Sequence, residues 1–361
     1  MLDDLVKDLL WLCSMYSPTG EEGPICDALE SFLGIDGPVA FDCTRIGNSL
    51  VVRLNQAGTG PKVGLVGHTD VVPTEHDGPP RIEGDKLYGP GASDMKCGLA
   101  LMLGLIKIPE PAASPLTLVF YAGEEGPYAE NELGRVFDAL PELRKLDIAL
   151  ALEPTDNQLQ LGCGGSIQAH VEYRGKSAHS SRPWQGDNAV YKGIDLLAKL
   201  QSLKPVPREV DGLTWMTSIS ATLISGGRAP NVIPDQLSIN LNVRYAPDET
   251  TTEVEARLRE FVGPGASVTL VDVSPPAAPH RNHPLIRALQ ASGIEKVQPK
   301  FAWTDVARFA QVGVPAANLG PGTLAQAHQR NEWTSIAALD KGNMLLRKWL
   351  KSMPATWPPT T

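Results

Sequence analysis

Three stretches of the chain are apolar at nearly every position: VGLVG at 63–67, LTLVFYAG at 116–123 and DIALAL at 147–152. A run that buries both faces is the pattern of a central strand in a parallel sheet, not of a half-exposed one. Between the first two, Met95 to Lys107 reads as a helix, so the order is βαβ and predicts a mostly parallel sheet with helices on both faces. A similar strand, VPAANLG at 314–320, is followed by a helix from about Ser335 to Lys351. The first residues place Leu2, Leu5, Leu9, Leu10 and Leu12 on one side of an amphipathic helix, and the tail MPATWPPTT has the composition of a frayed end.

The middle of the chain alternates instead. SIQAHVEYRG, a helix from about Asp187 to Leu203, MTSISATLISGG, DQLSINLNVRYA, a helix from about Glu249 to Phe261, and SVTLVDV give β-α-β-β-α-β. That order predicts a ferredoxin-like α+β unit on an antiparallel sheet. GCGG at 162–165 and SPPAAPHR at 274–281 bracket it with linker composition. The expected organisation is therefore α/β: a discontinuous catalytic domain, 1–163 plus 281–361, with 164–280 inserted.

Composition narrows the function. A net charge of -9 argues against a general nucleic-acid or anionic-membrane binder, which needs a basic face, but leaves room for a small anionic ligand held by a few cleft arginines. The longest apolar run, Leu99 to Ile106, is too short to span a bilayer, and Asp3, Asp4 and Asp8 are foreign to a signal peptide. Five scattered cysteines without a CxxC pair give neither a disulfide framework nor a cysteine metal site, and the reading is a protein of the reducing cytoplasm.

The chemistry lies where the strands end. His68 and Asp70 follow VGLVG, Glu124 and Glu125 follow LTLVFYAG, and Glu153 follows DIALAL. Asp94 stands in GPGASDMK just before a helix, and His328 follows the strand at 314–320 by a short loop. Crevices beyond the carboxyl ends of parallel strands are where sites assemble, so these residues are expected to converge. Two imidazoles and three carboxylates, with Asp94 shared, suit a pair of zinc ions, each with one histidine and one terminal carboxylate. Asp70 is spaced to accept a hydrogen bond from His68, and of Glu124 and Glu125 one can ligate while the other serves as general base. Each piece has an ordinary counterpart. Glu21–Glu22 form an equal pair but precede a helix and read as structural, as do His76, His170, His280 and His283, which have no acidic partners at useful spacing.

GHTDVVP, GPGASDMKCGLA, YAGEEG, LEPT, GKSAHSSRPWQGDNA, NVIPDQLSINLNVRYAPD and AHQRNE together resemble, in order, the motifs of the M20 family of zinc amidohydrolases and exopeptidases. The resemblance covers essentially the whole chain. FAWTDVARFAQVGVPAANLGPGTLAQAHQRNE is further similar to the actinobacterial-type branch of desuccinylases within it. The resemblance implies a zinc-exopeptidase-like catalytic domain with two Zn2+, for which Co2+ can substitute. It implies His68, Asp94, Glu125, Glu153 and His328 as ligands with Asp94 bridging, Glu124 as general base, Asp70 orienting His68, and a cis peptide at Asp94–Met95. It also implies that the inserted domain forms a homodimer and sends His179 into the partner's site to hold an oxyanion. Arg182, Asn231, Arg244, Thr304 and Arg308 match substrate-contacting positions. The implied substrate is a small anionic N-acyl amino acid, N-succinyl-LL-2,6-diaminopimelate, cleaved to succinate and LL-2,6-diaminopimelate for lysine synthesis. The alternatives are an acetylornithine deacetylase, a carboxypeptidase or dipeptidase, and, from another class, a non-catalytic metal-binding scaffold. One departure concerns the acyl group: better-studied desuccinylases carry an asparagine shortly before the last histidine ligand, where this chain has Gly322-Thr323-Leu324-Ala325.

Overall fold

A computed structural model describes residues 2–34, 42–107 and 114–358. The chain divides into two compact units, one of Met1–Gly162, Pro279–Lys300 and Thr304–Thr361, the other of Cys163–Ala278 and Phe301–Trp303.

The first unit is built on a mixed sheet which, among the described residues, has eight strands. Their order is Asp42–Ile46, Ser49–Leu54, Leu116–Tyr121, Val63–His68, Ile148–Ala151, Ala316–Asn318, Leu159–Leu161 and Val297–Pro299. The four central ones, from Leu116–Tyr121 to Ala316–Asn318, pair in parallel and are buried at every position, as their unbroken apolar runs require. Antiparallel pairings lie only outside them.

The sheet is flanked by helices. Lys96–Lys107 is apolar on all sides and buried except at Lys107; it packs on the strand Val63–His68 and on the helices Leu2–Ser14 and Ile336–Lys351. Glycine lets backbones close up where the site is made. A Cβ on Gly98 would stand 2.5 Å from the Leu152 carbonyl oxygen, and one on Gly320 would stand 2.4 Å from it and 2.5 Å from that of Glu153. Side chains at these two positions would displace the strand end that carries Glu153. Asp8, on the otherwise apolar face of the first helix, is buried because Lys107 pairs with it. Glu22 is buried too, accepting from the Gly20 N–H at 2.8 Å ahead of the helix Gly23–Gly34. The tail is not loose as far as it is described: Trp357 N donates to Thr59 O at 3.1 Å, and the Thr59 hydroxyl to Ala355 O at 2.7 Å.

The second unit is an antiparallel sheet in the order Val206–Val210, Leu213–Gly226, Gln236–Tyr245, Gly165–Arg174 and Ser267–Ser274. Alternate residues point to one core: Ile167, Ala169, Val171 and Tyr173 lie opposite Val243, Leu241, Ile239 and Leu237, under Leu196, Val254 and Leu258 of the helices. The helix Thr251–Val262 starts in a capping box made by Thr250 and Glu253. Two details depart from the sequence reading. The strand Val206–Val210 adds a fifth to the expected four, joined to its neighbour by Asp211 and Gly212, both at positive φ, a hairpin signal. The single helix expected from Asp187 to Leu203 is two, Ala189–Lys192 and Ile194–Ser202, parted at Gly193, where a Cβ would meet Leu237 at 2.3 Å. Among the described residues no helix is long and apolar enough to cross a membrane.

Candidate metal centre and active site

Because the central strands run the same way, their carboxyl ends share one edge, and the loops leaving that edge carry the acidic and imidazole residues. His68 ends the strand Val63–His68 and is fully buried. Its Nδ1 lies 3.0 Å from the carbonyl oxygen of Asp70, to which it must donate, so in the neutral ring Nε2 carries no proton and is available to a cation. The Asp70 carboxylate is farther from Nδ1, at 3.5 Å. It accepts instead from the N–H groups of Glu124 and Glu125, at 3.1 and 3.0 Å, and from Thr19 Oγ1 at 3.0 Å. Asp70 thus ties the glutamate turn to the histidine loop, a contact that the His-x-Asp spacing alone did not reveal.

Asp94 stands between the two imidazoles. Its Oδ1 is 3.4 Å from His68 Nε2 and its Oδ2 is 3.5 Å from His328 Nε2. His328 Nε2 is also 2.8 Å from Glu125 Oε1. Donor atoms of His68, Asp94 and Glu125 all lie within 4.8 Å of one another. Among the described residues, His68 Nε2, Asp94 Oδ1 and Glu153 Oε1 are buried with no hydrogen-bond partner. Such atoms are costly to bury unless something fills the space between them, and nitrogen and carboxylate oxygen are the donors that zinc takes. The residues present fit a metal cofactor. The Asp94–Met95 peptide bond is cis.

Burial pushes the carboxyl of Glu124 well above the usual range, and Glu153 and Glu125 add to it while His68 opposes. Burial also lifts Glu153 and Glu332 to about 7 each. His328 is raised to about 9, chiefly by its hydrogen bond to Glu125. These groups hold protons more tightly in the folded than in the unfolded chain. Between roughly pH 5 and 9 the native state therefore carries more protons, and stability falls as pH rises. Asp70 and Asp94 lie below the ordinary 3.8, since His68 outweighs the upward push of burial, and so act only at lower pH. Chelator-treated protein should melt several degrees higher at pH 6 than at pH 8.5. Bound metal should reverse the order, because ligands must be deprotonated. A metal-free melting temperature that rises with pH would contradict this arrangement.

Two further residues of this unit escaped the sequence reading. Glu332 is buried, and its carboxylate accepts from the N–H groups of Gly91, Ser93 and Asp94 at 3.1, 2.6 and 2.7 Å, fixing the Asp94 loop to the loop of His328. The last letter of AHQRNE was its signal. Lys300, 5% exposed, brings its ammonium to 3.8 Å from Glu153 Oε2. Nothing in QPKFAW marks it.

The remaining candidates fall in two groups. Thr304 is buried and donates to Asn318 Oδ1 at 2.8 Å, while Arg308 pairs with Asp305 at 2.9 Å and stacks on the Tyr128 ring. Both make these contacts within the first unit. In the second unit, His179 bridges to Val232, Ser180 N donates to Asn231 O at 2.9 Å, and Arg182 N donates to His179 O at 2.8 Å, so His179, Arg182 and Asn231 share one exposed corner. His179 Nδ1 accepts from the Ser181 N–H at 3.1 Å, which leaves the ring proton on Nε2 as an outward donor. Arg244 lies on the strand Gln236–Tyr245, half-buried, its Nε donating to Asn242 Oδ1 at 2.9 Å.

This edge of paired carboxylates and imidazoles belongs to a known group of hydrolases: over residues 64–352 the chain matches Peptidase family M20/M25/M40, and it is a member of that family. It is an enzyme of the hydrolase class with the family's metal dependence. In sequence it is similar to the succinyl-diaminopimelate desuccinylase of Corynebacterium glutamicum, 34% identical over 94% of both chains. A Mycobacterium tuberculosis protein provisionally given the same enzyme name is 36% identical over 94% of this chain and 96% of its own. Among solved structures, an M20 family metallo-carboxypeptidase from Sulfolobus solfataricus shares the fold, with a TM-score of 0.76, 18% identity and coverage of 97% and 99%.

Proposed function

We propose that the chain is a di-zinc amidohydrolase that cleaves N-succinyl-LL-2,6-diaminopimelate to succinate and LL-2,6-diaminopimelate, in the cytoplasm and for lysine synthesis. The observation that carries the reading is Asp94, one oxygen toward each imidazole, with unpartnered donors around it. The two desuccinylase-named relatives, aligned over nearly their full length, support the substrate.

His68, Asp94 and Glu153 would hold one ion, and Asp94, Glu125 and His328 the other. Bound there, zinc would polarise the amide carbonyl and lower the pKa of a bound water. Glu124, held in place by the bond from its N–H to Asp70, takes the proton of the attacking water. A carbon–oxygen bond forms, the carbon–nitrogen bond breaks, and Glu124 returns the proton to the leaving amine. Asp70 and Glu332 keep the loops of Glu124, Glu125 and Asp94 in place.

The second unit serves as the dimerisation domain. His179 of a second copy donates from Nε2 to the oxyanion, and Arg182, Asn231 and Arg244 bind substrate carboxylates, for which a guanidinium fork is suited. Thr304 and Arg308, in the first unit, contact the substrate as well. His179→Ala is expected to lower kcat by about 10²- to 10³-fold with zinc content unchanged. Mixing that variant with Glu124→Gln protein should restore turnover, because one site of the hybrid dimer is complete. An unaltered kcat would sink the oxyanion role, and failed complementation its supply from the partner. The reading as a whole is tested by following release of succinate from this substrate on protein of measured zinc content.

A further inference from the structure

Lys300 follows Val297–Pro299, the outermost strand on one flank of the eight-stranded sheet, and is nearly buried. Its ammonium is 3.8 Å from Glu153 Oε2, beyond hydrogen-bond distance, and among the described residues no acceptor is within reach of it. A lysine carries three donors, and this nearly buried side chain spends none of them on a described acceptor, so they are open to a ligand. Glu153 Oε1 has no partner either and is free for a metal ion. Once an ion shares the charge of Glu153, the ammonium is left to pair with an anion at the edge of the site.

The sheet order says which part of a substrate it meets. The strand leading to Glu124 lies on one side of the strand of His68, and the strands leading to Glu153 and Lys300 lie on the other. Glu124 must hand its proton to the leaving nitrogen, so the amine portion belongs on the flank of Glu124. The acyl portion then extends toward Glu153 and Lys300. We propose that Lys300 is a specificity-determining residue whose ammonium binds the distal carboxylate of a dicarboxylic acyl group. This assignment rests on the two-metal reading above and deepens it. It also supplies an anionic-acyl contact to a chain with Gly322-Thr323-Leu324-Ala325 ahead of His328. A compact ammonium suits a carboxylate at the end of a flexible chain, since it imposes no planar fork.

The test is binding, not turnover. Dissociation constants of succinate and of butyrate, which has a methyl group in place of one carboxylate, are measured by calorimetry on zinc-loaded wild type, Lys300→Met and Lys300→Arg, with zinc content determined for each. Wild type should prefer succinate by about 10- to 100-fold, the range for a hydrogen bond to a charged group. Lys300→Met should bind the two acids alike with full zinc content, and Lys300→Arg should keep part of the preference. A wild type that does not discriminate, or a Lys300→Met protein that still does, overturns the proposal. So does a preference lost only together with a zinc ion, since Lys300 would then act through Glu153. Protein that binds succinate through Lys300 yet leaves N-succinyl-diaminopimelate intact keeps this assignment and refutes the substrate reading alone.

Discussion

Glu124→Gln protein should retain its zinc and its fold and lose about 10²- to 10⁴-fold in kcat, the span expected when a positioned acid–base group is removed. The substitution keeps the volume and the N–H that Asp70 accepts at 3.1 Å, so the turn that also presents Glu125 is left intact. What disappears is a carboxylate that is given no metal to bind. It is half-buried among Glu153, Glu125, Asp305 and His68, where a neutral side chain is accommodated more easily than a charged one. The variant should therefore be at least as stable as wild type without metal. Normal activity at full zinc content would remove Glu124 from the mechanism.

Asp94→Ala should be more damaging still, and through a different route. The carboxylate faces His68 on one side and His328 on the other, at 3.4 and 3.5 Å. On the proposed two-zinc reading its loss would take a ligand from both ions, so zinc content should fall from two per chain toward none and turnover with it. The loop itself should persist, because Glu332 holds the main-chain N–H groups of residues 91, 93 and 94 and does not depend on the Asp94 side chain. Metal analysis with circular dichroism checks this. A folded Asp94→Ala protein that still holds two zinc ions would show that Asp94 is not shared between them.

The parts legible in the sequence were those with one strong local signal each. VGLVG, LTLVFYAG and DIALAL are buried at every strand position, and each delivers a donor within four residues of its end, so order along the chain predicted convergence in space. The alternating strands of the second unit were legible for the same reason. What was missed depends on long-range packing. Lys300 is buried by neighbours of a three-residue strand too short to show any period. The strand Val206–Val210 is mostly exposed and forms because Asp211 and Gly212 turn it onto its neighbour. Gly193 breaks a helix whose local sequence favours continuity, because Leu237 needs the space. The Asp70 carboxylate, read as a partner of His68 and 3.5 Å from its Nδ1, also accepts from the main chain of Glu124 and Glu125, a contact across 54 residues.

The most direct measurement is kcat/KM of protein with known zinc content on N-succinyl-LL-2,6-diaminopimelate, N-acetylornithine and simple dipeptides, before and after chelation. The account predicts turnover of the succinyl substrate at least ~10²-fold above the others, as expected when a site pairs a charged substrate group with its own buried charge. That activity should vanish on chelation and return with two equivalents of zinc. Preferential turnover of acetylornithine or a dipeptide, or succinyl cleavage that survives loss of the metal, would contradict it.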